Sequence, residues 1–328
     1  MEPSRSRLGA FIVIAPLVFI STSPVRAQVS ENALIVFHAG SLSVPFERIL
    51  DGFRKEHPRL EVFKEIAGSR ECARKISDLR KPCDIFASAD YLVIDSLLIP
   101  SFADWNLKFA TNEMVIVYGD KSRRSNDINR GNWFDILLDD NIPLGRSDPN
   151  ADPCGYRTIF TLKLAEMFYH KRGLADQLLI KNPEYVRPKE VDLLSLLEAG
   201  ELDYVFLYRS VAEQHHLKYL SLPDSINLKN AELEDVYRNV TVVLSGKKPG
   251  ETITQVGGSI VYGVTIPNNA PHPELAKQFI HFLLNKEKGL KIMEQLGQPT
   301  VVPSACDQFD KLPDELKHYA TKRGGRPE

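Results

Sequence analysis

A chain of 328 residues with 43% hydrophobic content is long enough for about two domains and a large core. Its formal net charge of −2 becomes about −4 once residues 1–27 are set aside, which argues against nucleic-acid binding through bulk charge. An anionic ligand must therefore be held by local dipoles, not by overall attraction.

Residues 1–27 read as an export signal. Arg5 and Arg7 give a basic start, residues 8–20 are apolar around Pro16, and Val25-Arg26-Ala27 offers cleavage near Ala27. The apolar run is too short for a comfortable membrane span, and no cysteine follows it as a lipid attachment point. The expectation is a soluble periplasmic protein. The four cysteines, Cys72, Cys83, Cys154 and Cys306, contain no CxxC, and three connectivities are open if all pair. Cys72 and Cys83 flank one predicted helix, and a buried free thiol is the competing reading for each.

In chain order, residues 33–37 read as a buried strand running into the small-residue turn Ala39-Gly40-Ser41. A helix follows, with Pro45 in its first turn and Phe46, Ile49, Leu50 and Phe53 at helical spacing. A strand that ends in Gly-Ser and opens a helix points free backbone N–H groups at one spot, a place for an anion. An ordinary strand-to-helix turn reads the same way on this stretch alone. The device recurs: a strand over 60–66 ends in Ala67-Gly68-Ser69, and a helix with Cys72, Ile76 and Leu79 on one face follows, for which Ser69 would also serve as N-cap.

Residues 83–88 form a short strand and 90–98 a helix, and this alternation predicts a parallel α/β sheet. An apolar strand over 112–118 reads as the crossing into a second lobe. There Asp152 caps a helix with Pro153 at its first position and Tyr156, Ile159, Phe160, Leu164 and Met167 as the apolar stripe. Helix over 190–197, strands over 203–208 and 240–244, and a return crossing over 257–266 come next. Helices over 273–287 and 290–296 close the chain, and 321–328 read as a fraying tail.

Three helix starts thus stand out, at Gly40-Ser41, Gly68-Ser69 and Asp152-Pro153-Cys154, and in open α/β sheets ligands bind where such starts converge. Asp152 is at odds with an anion site, since a carboxylate competes for the positive end of the helix dipole. Simple capping is the ordinary explanation for an isolated Asp-Pro. The pattern Asp148-x-Asn150-x-Asp152 opens like a calcium loop but continues with Pro153 and Ile159 where that loop needs Gly and Glu. HExxH, GxSxG and the phosphate-binding P-loop are missing from the sequence, and His170, His215 and His216 offer no ligand spacing.

The segments HAGSL (38–42), AGSR (67–70), FASADY (86–91), DPNADPCGYR (148–157), RPKEVDLL (187–194) and LDYVFLYRSVAEQH (202–215) resemble the archaeal-type tungstate/molybdate-binding proteins of ABC importers, the WtpA/ModA-like family. The match runs from about residue 33 to 319, with a shorter segment over 171–184 where the family often carries an insert. The resemblance implies an α/β type II periplasmic-binding fold: lobe 1 over 28–112 and 265–328, lobe 2 over 113–264, two hinge crossings and a ligand cleft between.

It further implies that Gly40, Ser41 and Ser69 donate hydrogen bonds to the oxyanion. The turn Asp152-Pro153-Cys154 gives backbone donors and one carboxylate, Glu190 the second carboxylate, and Tyr208 a hydroxyl donor. Asp152 and Glu190 would approach the W or Mo centre itself, a hard high-valent ion that takes oxygen ligands, while repelling sulfate and phosphate. The implied protein is a monomeric carrier without catalysis or cofactor, delivering tungstate or molybdate to an ABC permease and its ATPase. The competing readings are a carrier of another oxyanion such as sulfate, a metal-dependent hydrolase using Asp152 and Glu190, and an exported sensor or adhesive module with an exposed apolar patch.

Overall fold

Short apolar strands alternating with helices fold residues 32–323, the part described by the computed structural model, into two five-stranded sheets. The expected export signal lies outside the described residues. Among the described residues, no helix is long and apolar enough to cross a membrane.

The strands are β1 (Ala33–Ala39), β2 (Glu61–Ala67), β3 (Ile85–Ser88), β4 (Leu107–Thr111), β5 (Met114–Tyr118), β6 (Leu144–Ser147), β7 (Val186–Arg187), β8 (Tyr204–Tyr208), β9 (Lys218–Ser221), β10 (Thr241–Ser245), β11 (Thr252–Val256), β12 (Val261–Thr265), β13 (Ser304–Cys306) and β14 (Ala320–Lys322). The first sheet has the order β2-β1-β3-β12-β4 and the second β7-β6-β8-β5-β9. β10 and β11 form a separate antiparallel hairpin.

Parallel pairing decides where the loops go. β1 runs parallel to β2 and β3, so the residues after Ala39, Ala67 and Ser88 emerge at one edge of the first sheet. β6 runs parallel to β7 and β8, so the residues after Ser147, Arg187 and Tyr208 emerge at one edge of the second. Carboxyl-terminal edges of this kind are where α/β folds place ligands.

The helix Ser43–Glu56 buries Phe46, Ile49, Leu50 and Phe53, as the spacing predicts. Phe53 packs edge-on against Phe279 and Phe282 of the helix Pro273–Leu283, with ring centroids 5.4 and 5.6 Å apart. Each such buried aromatic contributes about 1.5–3 kcal/mol of transfer free energy. The helix Pro153–Phe168 is buried on nearly all sides over its first three turns, because β5, β6 and β8 of the second sheet, the hairpin strand β10 and the helices Leu174–Ile180 and Asp224–Asn227 pack around it. Its last turn reaches the surface, which leaves Met167 exposed and not part of the expected stripe. Leu79 is exposed too, since its helix ends at Ser77.

The chain leaves the first sheet after Thr111 and joins the second at Met114. The single strand expected over 112–118 is therefore the end of this step plus β5, and β4 before it was missed. The return falls earlier than residue 265, because β12 pairs with β3 and β4 along its length from Val261. The expected fraying tail begins in a strand instead: Thr321 and Lys322 pair with Ala305 and Cys306. All four cysteines are free and buried.

Candidate functional site

The two carboxyl-terminal edges face each other and are closed. The N–H groups of Arg70 and Glu71, in the first turn of the helix Ser69–Ser77, both donate to the carbonyl of Ala151 across the gap, at 3.1 and 3.2 Å. Arg70, itself buried, donates to the carbonyls of Asn150 and Ser245. Glycine permits this approach: a Cβ on Gly68 would lie 2.3 Å from the Ala151 oxygen and 2.8 Å from that of Pro188.

Asp152 and Glu190 meet inside this closure, each only 1% exposed. Asp152 is the N-cap of the helix Pro153–Phe168; its Oδ1 accepts from the N–H of Cys154 at 3.0 Å. Its Oδ2 accepts from the N–H of Glu190 at 2.8 Å. Glu190 sits in the turn after β7, two residues ahead of the helix Asp192–Ala199, and neither of its carboxylate oxygens has a hydrogen-bond partner. A Cβ on Gly40 would lie 3.0 Å from Glu190 Oε2, so the Glu190 carboxylate points at the turn after β1. Burial, then the neighbouring Asp152 charge, pushes the Glu190 carboxyl well above its ordinary range; burial raises that of Asp152.

Three hydroxyls line the same region, and each accepts a hydrogen bond from the protein. Ser41 Oγ accepts from Tyr262 at 3.0 Å, Ser69 Oγ from the N–H of Ala89 at 2.9 Å, and Tyr208 from Arg157 at 2.8 Å. With its oxygen so engaged, each keeps its proton for another acceptor. Burial holds Tyr208 well above the usual phenol range, so it stays neutral and able to donate.

Two expectations need correction. Ser69 is not an N-cap: Gly68 occupies that position, and the Ser69 hydroxyl is tied to the β3 loop. The turn at Pro153-Cys154 offers no free backbone donor, because proline has no N–H and the N–H of Cys154 is taken by Asp152. The Cys154 thiol lies against the carbonyl of Phe206 at 3.5 Å. What this turn provides is the Asp152 carboxylate.

Sequence reasoning passed over Asp90, Arg157, Asn112 and Tyr262. Asp90 and Arg157 lie inside the segments FASADY and DPNADPCGYR, but nothing in either signals that they meet. Asn112 Nδ2 donates to Ser210 Oγ at 2.7 Å and to Tyr262 at 3.0 Å, which links the outgoing crossing to the returning strand β12. Among the described residues, no three His, Cys, Asp or Glu side chains group as a cation site.

Two α/β sheets closed edge to edge over a buried pair of acids and three buried hydroxyls define a solute-binding protein of the periplasmic type. The family described as "Bacterial extracellular solute-binding protein" matches residues 34–297, and the chain belongs to it. An "Uncharacterized solute-binding protein" of Petrotoga mobilis is 47% identical over 92% of this chain and 94% of its own. The "Molybdate/tungstate-binding protein WtpA" of Pyrococcus abyssi is 38% identical over 95% of this chain and 98% of its own. Among solved structures, the periplasmic molybdate-binding protein of Azotobacter vinelandii superposes with a TM-score of 0.60 at 18% identity, over 82% of this chain and 99% of its own, which is a likeness of fold.

Proposed function

We propose that this chain is the exported binding component of an ABC importer and that it captures tungstate or molybdate between its lobes. The observation that carries this reading is the pair Asp152 and Glu190, buried together among hydroxyl donors, with both oxygens of Glu190 unpartnered. Two carboxylates repel sulfate and phosphate, whose central atoms accept no further ligand. W(VI) and Mo(VI) take additional oxygen donors, so the same carboxylates bind them. The long match to a relative named for molybdate and tungstate supports the choice.

In this reading Ser41, Ser69 and Tyr208 donate to the oxo groups, Gly40 leaves room for the ion beside Glu190, and Asp152 and Glu190 reach the metal centre. The lobes close about the crossings at 112–113 and 257–260. The closed monomer then docks on its permease at the outer face of the membrane, and the permease's ATPase drives release. No chemical step is required of the protein.

Isothermal titration of the ligand-stripped protein with tungstate, molybdate and sulfate tests this. Tight one-to-one binding of the first two with silent sulfate is the expected result, and the ratio of the two affinities names the cargo. Binding of sulfate with comparable strength would make this a general oxyanion carrier and remove the role of the two acids.

A further inference from the structure

Arg157 is an arginine with almost no exposure, and it spans the cleft. It belongs to the helix Pro153–Phe168 beside the second sheet, yet its Nη1 donates to the carbonyl of Ala89, after β3 in the first sheet, at 2.7 Å. The same Nη1 donates to the Tyr208 hydroxyl at 2.8 Å, and Nη2 lies 3.4 Å from Asp90 Oδ2. Tyr156, one residue before, donates to that Oδ2 at 2.6 Å.

Asp90 is held rigidly to receive them. Its Oδ1 accepts from the N–H of Leu92 at 2.9 Å, and its own N–H donates to Ser88 Oγ at 3.1 Å. The dipeptide Ala89-Asp90 therefore faces both lobes. Through its N–H it fixes Ser69, and through its carbonyl and carboxylate it fixes Arg157, which in turn fixes Tyr208. The bonds that end on Ser69 and Tyr208 each occupy a lone pair on a buried hydroxyl.

We propose that Asp90 and Arg157 are positioning residues for ligand capture: they lock across the closed cleft and hold the Tyr208 hydroxyl with its proton directed at the bound oxyanion. In the open protein Arg157 loses Ala89 and Asp90 together, and Tyr208 is free to turn. Lobe closure and the assembly of the donor set are thus one event. This rests on the oxyanion reading of the site.

Replacing Asp90 by Asn leaves the shape of the pair intact. The Arg157 guanidinium also borders a polar cavity of about 530 Å³, lined by Lys108, Glu234 and Arg238 as well, where water can solvate it. Such a variant is expected to fold.

The test is a double-mutant cycle read by tungstate titration and by dissociation rate, on wild type, Asp90→Asn, Tyr208→Phe and the double variant. Asp90→Asn is expected to weaken tungstate about tenfold, mostly by faster dissociation, and to cost much less when Tyr208 is already Phe. Effects that simply multiply would overturn the proposal, because a residue that only stabilises the lobe has no reason to act through Tyr208. If Asp90→Asn does not fold, the same cycle runs with Arg157→Lys, whose single ammonium cannot reach Ala89, Asp90 and Tyr208 together. A wild type silent to tungstate would instead overturn the oxyanion reading itself, and this proposal with it.

Discussion

The backbone N–H of Glu190 donates to Oδ2 of Asp152 at 2.8 Å, so the two acids of the cleft are joined through the main chain of one and the side chain of the other. Asp152 is thereby immobilised with both oxygens engaged, while the carboxylate of Glu190 is left without a partner. The arrangement sets one fixed acid beside a second whose carboxylate faces the turn after β1.

Substituting Glu190 by Gln keeps the volume and removes the charge. Tungstate affinity is expected to fall by about 100-fold, the upper range for perturbing a metal's coordination shell. The ligand-free variant should at the same time melt at a higher temperature, because a buried, unpaired carboxylate destabilises a fold at neutral pH. Titration and thermal melting of the one variant check both. Unchanged affinity would mean that Glu190 acts as a protonated hydrogen-bond donor, which Gln replaces.

The raised carboxyl of Glu190 sets a sign for pH. Its folded-state value lies above the ordinary 4.5, so the folded protein holds the proton where the unfolded chain has lost it. Its contribution to ligand-free stability is therefore present in acid and is lost as pH rises from about 4.5 upward. Ligation needs the deprotonated form, so tungstate binding should release protons and weaken on acidification. Titrations at a series of pH values above 4.5, each in buffers of different ionisation enthalpy, measure that release. No proton released would contradict coordination by Glu190.

His38 acts in the opposite direction. Burial holds it down to about 4 from 6.5, while its Nδ1 lies 2.8 Å from the carbonyl of Ala39. The unfolded chain then takes up a proton that the folded one refuses, and stability falls as pH drops from 6.5 toward 4. The full effect is of order 3 kcal/mol. Melting curves between pH 7.5 and 4.5 should show a shallower acid loss for His38→Gln than for wild type.

Gly68 separates closure from chemistry. A Cβ there collides with the backbone of Ala151 and Pro188, which belong to the opposite lobe. Gly68→Ala should keep each lobe folded and prop the cleft open. Tungstate affinity falls by at least about tenfold, while the ligand-free melting temperature moves little. Small-angle scattering with and without tungstate checks the propping: the variant should fail to contract.

Much of this was legible because it is local. The strands β1 and β2, the Gly-Ser turns after them and the Asp152-Pro153 helix start are each specified within a few residues by hydrophobic runs, glycine and a capping side chain. The pairing of Asp152 with Glu190 spans 38 positions, and the sequence indicated it only through resemblance to a family. Arg157 reads as one more polar residue on a helix, since its partners Ala89 and Asp90 lie more than 60 positions away. The two-residue β7 and the pair β13–β14 escape detection because so few residues carry too little pattern. Met167 was misassigned because its apolar side chain fits the helical stripe while the helix itself runs out of the core.

X-ray absorption at the tungsten edge, on the wild-type protein saturated with tungstate, tests the central claim most directly. Two buried carboxylates that reach the metal predict six oxygen neighbours, two of them longer than the four oxo bonds and lost when Asp152 and Glu190 are replaced by Asn and Gln. A spectrum with four equal oxygens, the same as that of free tungstate, would contradict the account: the acids would then surround the ion without binding its centre.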